Sequence, residues 1–244
     1  MPAAVVTGSS RGIGRAIARR YAEDGFDVVV NCVQRVADAE LVVASIERET
    51  DRRAVAVRAD VSDPSAAGRL VEAAVESFGG LAHVVNNAGV DQHLRTAELP
   101  PADFDHVMDV NVNGAFNVTK AALPHLQEAA DDDPSVVNVS SVVAHTGAAI
   151  ECHYAASKAG LLGLTKSHAA DFAPDVRVNA IAPGHVETDM TAGRSPEAEA
   201  AQLAKIPVDR FGKPADIAAA AAYLRDATFV TGETLNVNGG ELMR

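Results

Sequence analysis

Ala3-Ala4-Val5-Val6-Thr7-Gly8-Ser9-Ser10-Arg11-Gly12-Ile13-Gly14 runs directly into Arg15-Ala16-Ile17-Ala18-Arg19-Arg20-Tyr21-Ala22. A short apolar run, a glycine-rich turn and a pattern that sets Ile17 and Tyr21 one turn apart predict a strand, a loop and the start of a helix. Glycine has a physical use at such a junction. A backbone without Cβ takes a tight turn and lets a phosphate approach, while the helix N-terminus offers it free N–H groups and the positive end of the dipole. The spacing Gly-x-x-x-Gly-x-Gly is a relative of the common dinucleotide fingerprint and not the fingerprint itself. Gly8, Ser10, Arg11, Gly12, Ile13 and Gly14 are therefore candidate nucleotide contacts, although a loop of this kind also serves as a plain turn.

The rest of the chain repeats the alternation. Apolar runs near residues 3–7, 27–32, 53–59, 82–86, 135–140, 176–181 and 234–237 predict strands, and helical patterns lie at about 12–24, 36–50, 64–78, 101–127, 154–172 and 214–225. Apolar strands alternating with helices imply a parallel sheet covered on both faces. Right-handed crossovers make it an α/β, doubly wound, Rossmann-like sheet with its ligand at the carboxyl ends of the strands. Gly8, Asp60, Asn87, Ser141 and Pro183 each fall at such an end, so residues distant in sequence converge on one cleft. Its 244 residues, 48% hydrophobic and without a linker-like break, read as one domain spanning 1–244.

A second constellation carries chemistry. Ser141 precedes Tyr154 by thirteen residues and Lys158 follows it by four. On a helix, positions i and i+4 share a face. An ammonium beside a phenol stabilises phenolate, so Lys158 is expected to lower the Tyr154 pKa and let it act as acid or base near neutrality. Ser141 would donate a hydrogen bond to the same substrate oxygen.

Thr7-Gly8-x-x-x-Gly12-x-Gly14, Asp60-Val61, Asn86-Asn87-Ala88-Gly89, Asn111, Ser141, Tyr154-x-x-x-Lys158 and Pro183-Gly184, in that order, resemble the pattern of the classical short-chain dehydrogenase/reductase family over essentially the whole chain. The resemblance implies hydride transfer between a nicotinamide and a carbonyl carbon, with Ser141, Tyr154 and Lys158 catalytic. It implies that Asp60 and Val61 contact the adenine, where helix capping is the competing role for Asp60. Asn87, Ala88 and Gly89 would flank the cofactor ribose, and Lys158 would also hold the nicotinamide ribose hydroxyls. Asn111, counted with the catalytic residues, would distort its helix and hold a water that links Lys158 to solvent. Pro183, Gly184, Val186 and Thr188 would shape the nicotinamide end.

Cofactor choice turns on the end of the second strand. NAD-preferring enzymes usually place an acidic residue there, roughly twenty residues past the glycine loop, to bind the free 2′-hydroxyl. Here the position holds uncharged Cys32, while Arg11 and Arg35 offer positive charge. The expected preference is NADP(H) over NAD(H).

Segments 154–166, 179–190 and 230–240 look most like 3-oxoacyl-acyl-carrier-protein reductases, which implies reduction of a 3-oxoacyl thioester. Two departures bear on the carrier. Those enzymes tend to follow Asn-Ala-Gly with a basic-acidic pair and a leucine-rich segment, whereas this chain has Val90-Asp91-Gln92-His93-Leu94-Arg95. Their docking surface is basic, and the corresponding positions here are Asp132 and Asp175, which would repel an acidic carrier protein. A coenzyme A thioester, a sugar, polyol or other secondary alcohol, and a non-catalytic NADP(H)-binding regulator stay open as alternatives. Thr188 to Pro207 is read as a substrate lid or a solvated surface helix, and Cys152 and His153 as pocket lining.

Composition excludes other classes. A formal net charge of −12 argues against nucleic acid. No apolar run approaches the roughly 18 residues of a membrane span, and nothing resembles a signal peptide. Two cysteines, Cys32 and Cys152, without metal-ligand spacing suit a reducing cytoplasm, and the eight histidines are scattered, so no metal is expected. The family implies a homotetramer.

Overall fold

The computed structural model describes residues 3–188 and 195–243. Seven parallel strands form one sheet: β1 (Ala3–Val6), β2 (Asp27–Cys32), β3 (Ala54–Arg58), β4 (His83–Asn86), β5 (Ser135–Val139), β6 (Arg177–Pro183) and β7 (Thr234–Val237). Their order is β3-β2-β1-β4-β5-β6-β7. Chain order reverses between β1 and β4, which opens the crevice where doubly wound sheets bind ligands.

Successive strand side chains point to opposite faces. Ala4, Val6, Val28 and Val30 therefore enter one core and Ala3, Val5 and Val29 the other. The first is closed by α1 (Gly12–Glu23), α2 (Val36–Glu49) and α9 (Pro214–Asp226), through Ile17, Tyr21, Ile46, Ile217 and Leu224. Helix α3 (Pro64–Phe78) closes the second through Leu70 and Val71, joined by Val118 and Leu126 of α5 (Gly114–Glu128) and Phe172 of α7 (Cys152–Phe172).

Three elements sharpen the sequence expectations. The helix predicted over 101–127 is interrupted: α4 (Pro101–Met108) and α5 are joined by a π-helical turn, Asp109–Asn113. Helix α7 starts two residues ahead of Tyr154, so the tyrosine sits in its first turn. A short helix, α6 (Val143–Thr146), follows Ser141, and α8 (Pro196–Leu203) lies within the expected lid segment. Residues 189–194 of that segment lie outside the described residues.

Candidate active site

The glycine-rich loop is held open by side chains from neighbouring strands. Gly8 and Gly12 have φ of 60° and 56°, a region that favours glycine. Asn31 of β2 accepts from the Gly8 N–H at 3.1 Å and donates to the Val57 and Ala59 carbonyls at 3.2 and 3.0 Å. Just after β4, the Asn87 amide donates to the Thr7 and Gly8 carbonyls at 2.9 and 3.1 Å, while Thr7 Oγ1 accepts from the Asn87 and Ala88 N–H groups. A Cβ on Gly14 would stand 2.5 Å from Asn87 Nδ2 and from the Gly8 carbonyl. This contact ties the first two motifs together. Asn31 went unnoticed in the sequence, where it reads only as one polar residue in an apolar strand.

Beside the loop, a cavity of about 340 Å³ is lined by Ser10, Arg11, Gly12, Arg15, Arg19, Arg35, Asp38 and Thr188, among others. Four guanidinium groups therefore border one cleft. Arg15 and Arg19 were not expected there, although 11, 15 and 19 are successive i, i+4 positions and the signal was available. Arg19 pairs with Glu49 and Arg35 with Asp38. Cys32 ends β2 buried. The glycine cradle and the arginine-lined cavity fit a dinucleotide carrying an additional phosphate.

The other expected contacts gather along the same edge. A Cβ on Gly12 would lie 3.7 Å from the Thr188 methyl, so the loop after β6 faces the glycine loop. Val186 bridges to Gly212, Pro183 accepts from the Val142 N–H at 2.8 Å, and Gly184 lies tight against Asn238. Asp60, exposed, accepts from the Ser62 N–H and hydroxyl at 3.0 and 2.7 Å. The helix cap proposed for it falls instead to Asp63, which accepts from the Ser65 N–H. Val61 is buried, and a Cβ on Gly114 would stand 2.7 Å from its Cγ2.

Ser141 follows β5, and its hydroxyl acts on the half-buried Tyr154 phenol, favouring its ionised form. Lys158, buried, donates from Nζ to the Val139 carbonyl at 2.9 Å and lies 5.4 Å from the centre of the Tyr154 ring. A Cβ on Gly89 would meet Lys158 Nζ at 3.4 Å and Asn111 Oδ1 at 3.3 Å, which brings the fourth motif to the same spot. Asn111, in the π-helical turn, accepts from the Val90 N–H at 2.8 Å and donates to the Val90 carbonyl and Ser157 Oγ, both at 3.0 Å. The helix is distorted as expected, and the side-chain amide is committed to the loop after β4 and to α7.

The expected tuning of the phenol is corrected. Burial first, then the Asp91 and Glu151 carboxylates, hold the Tyr154 pKa well above its ordinary value, and the Ser141 hydroxyl opposes them. Burial also lowers Lys158 to about 8, with Asp91 acting against the shift. The ammonium is thus bound to Val139 and itself easily discharged. Tyr154 keeps its proton at neutral pH and is poised as an acid.

A further polar group acts on the phenol. His93 Nε2 lies 3.2 Å from Asp91 Oδ2 and 2.9 Å from Glu151 Oε1. The ligand atoms of these three residues lie within 4.8 Å of one another, a spacing able to hold a cation. Sequence spacing hid the group, because Glu151 is far from the other two in the chain. In the expected lid segment, Gln202 of α8 donates to Glu241 Oε1 at 2.8 Å and sits 2.9 Å from His185 Nδ1. Of the expected pocket-lining pair, Cys152 is half-buried with Thr96 Oγ1 at 3.5 Å, whereas His153 is fully buried.

Comparison with known proteins supplies the family. A family model described as enoyl-(acyl carrier protein) reductase matches residues 8–241. The 3-oxoacyl-acyl-carrier-protein reductase of Staphylococcus aureus is 39% identical over 243 residues, covering 98% of each chain. A short-chain dehydrogenase from Burkholderia cenocepacia, solved in complex with NADP, superposes with a TM-score of 0.92 at 36% identity over 98% of this chain and 97% of its own. A protein from Brucella melitensis titled short-chain dehydrogenase/reductase and glucose/ribitol dehydrogenase gives 0.93 at 35% identity, covering 100% and 97%. Matched along its length in both sequence and fold, the chain belongs to the short-chain dehydrogenase/reductase family and is an oxidoreductase acting between CH–OH and C=O with a nicotinamide cofactor.

Proposed function

We propose that the protein uses NADP(H) in preference to NAD(H) to reduce the ketone of a 3-oxoacyl thioester to a secondary alcohol. The observation that carries this reading is the Tyr154 phenol, set over Lys158, whose buried ammonium is anchored to the Val139 carbonyl at the carboxyl edge of the sheet.

Tyr154 donates its proton to the carbonyl oxygen as the C=O π bond breaks, and Ser141 stabilises the charge growing on that oxygen. When bound, the nicotinamide supplies the hydride that forms the new C–H bond. Burial and two carboxylates keep the phenol protonated until an alkoxide-like oxygen demands the proton. Lys158 supplies positive charge beneath the ring, and Asn111 fixes the Val90 loop against α7. Solvent then returns a proton to Tyr154.

Arg11, Arg15 and Arg35 would hold the 2′-phosphate in the arginine-lined cavity, with Gly8, Gly12, Ile13 and Gly14 around the pyrophosphate. Thioester reduction is supported by similarity to the Staphylococcus aureus reductase. Exposed Asp132 and Asp175 weigh toward a coenzyme A thioester over an acyl carrier protein. A second reading, reduction of a hydroxylated ketone of the sugar or polyol class, is favoured by the polar Asp91–His93–Glu151 group beside the phenol.

No helix among the described residues is long and apolar enough to cross a membrane. Exposed Phe116, Tyr223 and Phe229 suit burial between subunits of a homotetramer, which sedimentation would test. The test of function is NADPH consumption with acetoacetyl-CoA set against a panel of sugars and simple ketones. Turnover of the thioester supports the first reading, turnover of sugars alone overturns it, and no turnover at all leaves a cofactor-binding regulator.

A further inference from the structure

Three adjacent strands each carry an arginine at or just past the carboxyl end. At this edge the sheet runs β3-β2-β1, with Arg11 in the loop after β1, Arg35 three residues beyond β2 and Arg58 as the last residue of β3. Strands β2 and β3 are parallel and set Cys32 opposite Arg58. Side chains alternate between the two faces of a sheet, and Ala54 and Ala56 enter the first core with Val28 and Val30, so Arg58 continues that row on the face covered by α1 and α2. Its Nε donates to the Val33 carbonyl at 3.0 Å. The guanidinium is thereby tied to the first residue after β2, while its two terminal nitrogens have no acceptor and no ion-pair partner among the described residues.

In a dinucleotide fold the end of the second strand meets the adenosine ribose, where an acid binds the free 2′-hydroxyl or a nearby arginine accommodates a 2′-phosphate. Cys32 holds that place, buried and uncharged, so discrimination falls to its neighbours. Adjacent strands lie about 4.8 Å apart. Arg11 and Arg58 therefore flank the end of β2 from its two neighbouring strands, and a phosphate with three terminal oxygens accepts donors from both sides. A planar guanidinium anchored through Nε still presents its terminal pair of N–H groups as a fork that matches phosphate. Because the anchor is made before the cofactor arrives, less side-chain freedom is lost on binding.

We propose that Arg58 is a specificity-determining residue of the cofactor site, donating from its terminal nitrogens to the adenosine 2′-phosphate from the β3 side. This rests on the reading of NADP(H) as the preferred cofactor. A bracing role is the competitor: an arginine that merely props the turn at 33–35 would serve NADPH and NADH alike.

Isothermal titration of the wild type and of Arg58→Ala with two pairs of ligands separates these roles. One pair is NADPH and NADH; the other is adenosine 2′,5′-bisphosphate and AMP, which differ only in the 2′-phosphate. Arg58→Ala should weaken NADPH and the bisphosphate about 3- to 15-fold, the range for a charge-assisted hydrogen bond discounted for exposure. NADH and AMP should stay within about twofold of wild type, which also reports that the fold persists. Arg58→Lys keeps the charge without the fork and should recover part of the loss. Arg69→Ala removes the same charge from an exposed position on α3, which covers the opposite face, and should keep the wild-type preference. If the wild type prefers NADPH but Arg58→Ala weakens both members of each pair equally, or neither, the inference alone is overturned. Wild-type affinity for NADH and AMP equal to or above that for their 2′-phosphorylated counterparts overturns the NADP(H) reading and the inference with it.

Discussion

Replacing Arg11 with alanine should weaken NADPH binding roughly 5- to 30-fold and leave NADH binding within about twofold. The magnitude follows from the cavity between the glycine loop and α2, bordered by Arg11, Arg15, Arg19 and Arg35. A charge-assisted hydrogen bond to phosphate contributes about 1.5–3 kcal/mol when shielded. Arg11 is exposed, so screening by solvent reduces this to about 1–2 kcal/mol, and each 1.4 kcal/mol is tenfold. Arg35→Ala should also weaken NADPH binding, with its effect reduced because its guanidinium pairs with Asp38 at 3.3 Å. Titration of cofactor fluorescence for both nicotinamides, at low and high salt, measures the effect. The loss should shrink as salt rises, since exposed charges are screened. Equal loss for NADPH and NADH, or a wild-type preference for NADH, would refute the placement of the 2′-phosphate.

Three more expectations come from the same geometry. Lys158 has a pKa of about 8, below the ordinary lysine value because it is buried; its charge is present below that pH and lost above it, so kcat/KM for reduction should fall as pH rises through about 8, and a flat profile to pH 10 would contradict the role. Gly14→Ala places a methyl 2.5 Å from Asn87 Nδ2 and the Gly8 carbonyl, an overpacking worth about 1–3 kcal/mol, seen as a lowered Tm together with lost cofactor affinity. Asn111→Ala removes three hydrogen bonds to Val90 and Ser157; it should destabilise by about 1–3 kcal/mol and lower kcat, and wild-type values of both would remove Asn111 from the site.

Much of the fold was legible because parallel strands buried on both faces are unbroken apolar runs, as in Val28-Val29-Val30 and Val84-Val85. The glycine spacing and the Ser141, Tyr154 and Lys158 register are local, and they converge because the glycine loop and Ser141 follow strand ends and α7 returns Lys158 to the Val139 carbonyl at the end of β5. What escaped reading depends on contacts across the chain. The π-helical turn at Asp109–Asn113 coincides with hydrogen bonds from Asn111 to Val90 and Ser157, which no helical periodicity announces. The Asp91–His93–Glu151 group exists only because Leu94 pairs with Glu151. That same group, with burial, reversed the expected direction of the Tyr154 pKa: spacing revealed the nearby ammonium and hid the carboxylates.

The proton-donating phenol is the central claim, and Tyr154→Phe tests it most directly. Phenylalanine keeps the ring over Lys158 and removes only the hydroxyl. Measured beside wild type, the variant should bind NADPH with affinity within about twofold and lose on the order of 10²-fold or more in carbonyl reduction, the usual range for a general acid. Reduction at a rate near that of wild type, with the fold intact, would contradict the account.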